Sequence, residues 1–96
     1  MDIDQVAECL KPHATELREF GVKTLQVFGS VARAEAGPGS DVDFLVEFEG
    51  LTTFRRFMGL KLLLEDLLGR PIDLATPKML RERTRASILR EAVRVA

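Results

Sequence analysis

DVDFLVEF, residues Asp41 to Phe48, is the stretch whose alternation decides the fold. Val42, Phe44, Val46 and Phe48 share one face of a strand at period two, and Asp41, Asp43 and Glu47 share the other. A strand divided in this way lays one face on a core and leaves the other open. Upstream, VKTLQVF (Val22 to Phe28) is rich in β-branched and aromatic residues and predicts another strand, which Gly29-Ser30 ends. Downstream, PIDLA (Pro71 to Ala75) predicts a short third strand, with Ile72 and Leu74 on one face and Asp73 on the other.

Helical patterns fill the intervals. Gln5 to Phe20 predicts a helix in two pieces, because Pro12 would break a continuous one and starts the second, with Gly21 as its stop. Val31 to Glu35 predicts a short helix. Thr53 is placed to cap a helix from Phe54 to Leu68 with Gly69 beyond its end, and Phe57, Leu60, Leu64 and Leu67 form its buried stripe. Lys78 to Val93 reads as a last helix with a basic exposed side. The order α-β-α-β-α-β-α predicts an α/β (α+β) domain over residues 1–96, a small mixed sheet with helices packed on one face.

Composition narrows the function classes. With 46% hydrophobic and 30% charged residues, the 96-residue chain has the make-up of an ordinary folded domain. Its longest apolar stretch, Leu60 to Leu68, is interrupted by Lys61, Glu65 and Asp66, so no membrane span is expected. The acidic start Met-Asp-Ile-Asp is unlike a signal peptide, and a cytoplasmic location is expected. Lone Cys9 excludes an internal disulfide and a cysteine-based metal site. The net charge of −1 is unevenly spread: residues 1–50 carry ten acids against four bases, and residues 51–96 five acids against ten bases. Six of those bases (Lys78, Arg81, Arg83, Arg85, Arg90, Arg94) lie in the last nineteen residues. The balance falls short of that of a dedicated nucleic-acid binder, and no direct stable nucleic-acid binding is expected. The basic segment reads as a solvated face.

The chemistry lies on the open face of the strands. Asp41, Asp43 and Asp73 all point away from the apolar set, where three carboxylates repel one another unless a cation neutralises them. Hard oxygen ligands of this kind suit Mg²⁺, which binds one or two carboxylates together with substrate phosphates. A DxD alone also occurs on ordinary exposed strands. Gly29-Ser30 adds context: it follows a strand directly and precedes Asp41 by ten residues (31–40). Glycine at a strand end lets backbone N–H groups approach a phosphate and serine adds a hydroxyl donor, although a Gly-Ser pair serves a plain turn equally well. His13 has no second histidine and reads as a surface residue, and Phe54 and Phe57 read as core rather than as stacking platforms.

The run from Gly29-Ser30-Val31-Ala32-Arg33 to Gly39-Ser40-Asp41-Val42-Asp43, followed by Ile72-Asp73-Leu74, resembles the signature of minimal nucleotidyltransferases (MNT domains). These belong to the DNA polymerase β-like nucleotidyltransferase superfamily. The likeness extends through VKTLQVFGS and LLGRPIDLATP; Ala34 departs from it, standing where the family commonly has glycine. The resemblance implies a polymerase β-like core in which Gly29 and Ser30 hold a nucleotide's terminal phosphates and Arg33 reaches the triphosphate or the acceptor. It implies that Asp41 and Asp43 bind two Mg²⁺ ions, and that Asp73 completes the catalytic ion's site and helps deprotonate the acceptor hydroxyl. It also implies ATP as substrate and a HEPN-type RNase toxin as partner, neutralised by AMP on a tyrosine. This chain has no tyrosine, so a tyrosyl acceptor would lie on another chain. Two other functions fit the same family: an antitoxin that only binds, and the catalytic subunit of a small-molecule nucleotidyltransferase. The intact set of three aspartates argues against the first, and the absence of an acceptor-binding domain argues against the second.

Overall fold

Four strands lie side by side in the computed structural model, which describes residues 1–96. They are β1 (Val22–Phe28), β2 (Val42–Phe48), β3 (Ile72–Ala75) and β4 (Val93–Arg94), in the order β3-β2-β1-β4. β2 runs parallel to β3, whereas β1 is antiparallel to both β2 and β4. The architecture is the expected mixed α/β one. The edge strand β4 is additional: the predicted last helix ends early, at Glu91, and Ala92 turns extended. The chain then hydrogen-bonds along the free edge of β1, where the Val95 N–H donates to the Leu25 carbonyl (2.9 Å) and the Leu25 N–H to the Ala96 carbonyl (3.0 Å). A two-residue strand has too little alternation to be read from a sequence; the unpaired edge of β1 makes it.

The helices follow their end signals. α1 (Ile3–Leu10) begins two residues before the expected Gln5, because Asp2 and Gln5 form a capping box: the Gln5 N–H donates to the Asp2 carboxylate (2.8 Å) and the Asp2 N–H to the Gln5 amide oxygen (2.9 Å). A 3₁₀ turn with Pro12 at its second residue separates α1 from α2 (Ala14–Glu19), giving the two pieces that proline requires. α3 (Gly29–Ala32) follows β1 without a linker. α4 (Phe54–Leu68) has both predicted caps, with Thr53 accepting from the Arg56 N–H (3.1 Å) and Gly69 left-handed at φ 63°. α5 (Glu82–Glu91) starts four residues later than expected, because Pro77–Met79 forms a 3₁₀ turn and Leu80 is extended. Arg85 ties the two together, donating to the carbonyls of Pro77 (3.1 Å) and Leu80 (3.0 Å). No helix is long and apolar enough to cross a membrane.

The core joins Val6, Leu10 and Leu17 of the first helices and Leu60, Leu64 and Leu68 of α4 to the apolar faces of β1, β2 and β3. Leu68 completes the fully buried stripe of α4, and Leu67 is only partly covered. Phe57 packs against the core as expected; Phe54, one turn earlier, is 82% exposed, since it precedes the point where α4 meets the sheet. Leu45 shares a strand face with Asp43 yet is 1% exposed and stands outside the main cluster, so the second face is not bare.

One local strain is visible. The Glu35 N–H donates to the Ser30 carbonyl (2.8 Å) and the Ala34 N–H to the Val31 carbonyl (3.2 Å), the paired bonds of a Schellman motif closing α3. The residue at its left-handed position is Ala34, at φ 58°, the only non-glycine with positive φ. A Cβ in that conformation costs about 1–2 kcal/mol, partly offset by the greater unfolded-state freedom of glycine. Ala34→Gly is therefore expected to stabilise the fold by about 0.5–1 kcal/mol, read as a higher urea midpoint at unchanged slope. A lower midpoint would show that the loop does not carry this strain.

Candidate active site

Strand direction gathers the candidate residues at one end of the sheet. β2 and β3 are parallel, so Asp43 and Asp73, each the second residue of its strand, are direct partners on neighbouring strands about 4.8 Å apart. β1 is antiparallel to β2 and pairs its last residue, Phe28, with Asp43. Gly29 and Ser30 therefore leave the sheet beside the same carboxylate. The ladder continues past the strand proper, as the Val42 N–H donates to the Pro71 carbonyl (3.0 Å). Asp41, just ahead of β2, is exposed and follows a turn in which the Gly37 N–H donates to the Ser40 hydroxyl (3.0 Å).

Gly29 is required here twice over. Its φ is +69°, and a Cβ on it would collide with the Asp43 carboxylate. The close approach of backbone to carboxylate therefore exists only because residue 29 lacks a side chain. Asp43 is half-buried, and its carboxyl titrates above the ordinary aspartate range. Burial is the largest cause, followed by the charges of Asp73 and Asp41 and, more weakly, Glu91; Arg33 opposes them. The aspartates do not close a cage, since no group of three His, Cys, Asp or Glu side chains is placed to hold an ion by itself. Side-by-side carboxylates, with Asp43 raised by burial and by its acidic neighbours, fit a divalent cation whose remaining ligands come from a substrate's phosphates and water.

Glu91, at the end of α5, was not among the residues singled out in the sequence. It reaches the site because β4 pairs with the end of β1. Its carboxylate accepts from the Gly29 N–H (3.0 Å) and from Arg33 Nη1, with Oε1 at 3.3 Å and Oε2 at 3.2 Å. Arg33 also donates to Glu35 (3.3 Å), and the bond to Glu91 is the largest of the influences that raise its already high pKa. The only sequence signal for Glu91 is a carboxylate in the last turn of a helix, where the macrodipole favours a cation. His13 lies elsewhere and pairs with Glu16 (2.6 Å) on α2. Arg81, Arg83 and Arg90 are exposed, in keeping with a solvated face.

The sequence profile of the nucleotidyltransferase domain matches residues 10–95. The chain belongs to that family. This nucleotidyltransferase is 41% identical, over 96 residues covering 99% of it and 97% of the relative, to protein adenylyltransferase MntA of Thermococcus cleftensis. A solved structure described as that of a minimal nucleotidyltransferase superposes with a TM-score of 0.81 at 39% identity, covering 97% of this chain and 95% of the other. The complex of a tri-AMPylated Shewanella oneidensis HEPN toxin with its MNT antitoxin contains a chain alike in fold, with a TM-score of 0.63 at 14% identity, covering 94% of this chain and 71% of that one.

The electrostatics of the nucleotidyltransferase site give a pH-dependent expectation. A carboxyl raised in the folded state favours folding while protonated, and that contribution is lost as pH rises from the unfolded value through the folded one. In metal-free buffer, Asp43→Asn is expected to raise the thermal midpoint at pH 7, with a gain that shrinks towards about pH 3, where the wild-type group is protonated in both states. A lower midpoint for the variant at pH 7 would contradict the repulsion assigned to Asp43.

Proposed function

We propose that this nucleotidyltransferase transfers AMP from ATP onto a hydroxyl, a tyrosine side chain, of a HEPN-type RNase toxin and so neutralises it. The observation that carries the reading is the pairing of Asp43 with Asp73 beside Gly29-Ser30 at the start of α3, which brings carboxylates together with backbone N–H and hydroxyl groups at one strand end. The adenylyltransferase named in the Thermococcus relative and the AMPylated toxin in the more distant complex support the donor and the partner. A tyrosyl acceptor would lie on another chain, since the sequence has no tyrosine.

In this scheme the Gly29 N–H and the Ser30 hydroxyl hold the terminal phosphates, and Arg33 reaches the triphosphate or the acceptor. Asp41 and Asp43 would hold two Mg²⁺ ions, and Asp73 would complete the site of the catalytic one. Bound there, Mg²⁺ would stabilise charge on the attacking and leaving oxygens of an in-line displacement. The acceptor oxygen forms a bond to the α-phosphorus as the bond from that phosphorus to the oxygen bridging the β-phosphate breaks, and pyrophosphate leaves. The hydroxyl proton passes to Asp73, whose exposure at the strand start leaves it open to an incoming side chain.

Two variants test this. Asp73→Asn changes neither size nor charge-independent packing and is expected to keep partner binding while losing AMP transfer and growth rescue, measured together at matched expression. Full rescue without AMP on the toxin would overturn the enzymatic reading in favour of an antitoxin that only binds. Ser30→Ala removes one hydrogen bond to phosphate and is expected to cost about 1–3 kcal/mol of nucleotide or transition-state binding. Unchanged affinity and rate would reduce Gly29-Ser30 to a turn.

A further inference from the structure

Glu91 occupies two of the three donors that the proposed function assigns to phosphate, Gly29 and Arg33 but not Ser30. Its carboxylate takes the Gly29 N–H and, through both oxygens, the Arg33 guanidinium. It is the better covered member of the Arg33 pair, with a side chain 25% exposed against 48% for Arg33. It is also misplaced by helix electrostatics, a negative charge in the last turn of α5 facing the negative end of the dipole. The neighbouring charges add to the cost, because Glu91 joins an end of the sheet that already holds Asp41, Asp43 and Asp73. A carboxylate held against these repulsions is held by the Gly29 and Arg33 donors. Another anion that offered those donors more oxygen atoms would displace it.

We infer that Glu91 is a built-in stand-in for phosphate, which competes with the incoming nucleotide for Gly29 and Arg33 and is released when the nucleotide binds. This rests on the nucleotide reading of the Gly29-Ser30 turn and adds its regulation. The release has a route. Ala92 is extended and links α5 directly to β4, a strand of two exposed residues, so the last turn of α5 is joined to the sheet by its least extensive pairing. The apparent affinity is then the intrinsic one reduced by the fraction of molecules whose donors are free.

The test is calorimetric binding of Mg–AMP-PNP, Mg–tripolyphosphate and adenosine to the full chain and to Glu91→Gln and Glu91→Asp, with thermal melts to establish that each variant is folded. Glu91→Gln is expected to bind both phosphate ligands about three- to tenfold more tightly than wild type, with adenosine unchanged. Glu91→Asp, one methylene shorter, keeps the charge but withdraws the carboxylate and is expected to fall between the two. It also serves if the glutamine variant is unfolded. Wild-type binding with equal or weaker binding by the folded variants overturns the competition and leaves the nucleotide site standing. A gain for adenosine as large as that for AMP-PNP also overturns it, since adenosine has no phosphate to compete. If neither the wild type nor the variants bind AMP-PNP or tripolyphosphate, the nucleotide reading and the competition fall together.

Discussion

Pairing β2 with β3 in the register that sets Asp43 beside Asp73 is the constraint from which the rest of the site follows. Like charges on neighbouring strands oppose this register, by about 0.2–1 kcal/mol for a directly opposed pair. A slip of β3 by one residue would remove the repulsion only by turning its side chains over, exposing Ile72 and Leu74 and setting Asp73 in the core. Full burial of each such apolar side chain is worth about 1.5–3 kcal/mol. Val42, Phe44, Ile72 and Leu74 are all buried, so the apolar face decides the register and the carboxylates accept their neighbours. Two anions side by side are thus held in place by apolar groups on the opposite face of the strands.

The same register arranges the other members. Because Phe28 stands opposite Asp43, the chain leaves β1 against that carboxylate and must do so through a residue without a Cβ. Because β4 closes on the end of β1, α5 delivers Glu91 to the same place. Asp41, Asp43 and Asp73 share this end of the sheet with Glu91, and the charge of Arg33, which offsets that of Asp43, already serves Glu91 and Glu35. An anionic nucleotide entering such a field alone would be repelled. On the proposed reading it arrives with its cations, which lower the repulsion among the aspartates as they bind, so that phosphate and metal each favour the other.

Much of this was legible because short-range patterns carried it. DVDFLVEF shows its two faces without help, Thr53 and Gly69 mark the ends of α4, and Asp73 is isolated by its apolar neighbours Ile72 and Leu74. Other features depend on what lies across the fold. β4 exists because β1 has a free edge, which no local window contains. Phe54 and Leu67 look like core by spacing, but their exposure depends on where α4 meets the sheet. Glu91 lies sixty-two residues from Gly29, and nothing near it in sequence suggests a partner there. Ala34 falls between these cases: its departure from the family's glycine is visible in the sequence, and the left-handed turn that makes it matter is visible only in the fold.

The exposure of the site bears on what the acceptor can be. Asp41, Asp73 and Arg33 are all exposed, so the sheet end is an open ledge, with Gly29 and half-buried Asp43 as its floor. On an open ledge water competes with any hydroxyl for the α-phosphorus, and a small acceptor would find few surfaces to hold it in line. A protein acceptor meets both needs, since docking brings its own wall, excludes solvent and fixes one hydroxyl at the phosphorus. On the proposed reading the ledge therefore favours a macromolecular acceptor over a small hydroxylated one. In such an arrangement the nucleotidyltransferase supplies the nucleotide face of the active site and its partner supplies the other.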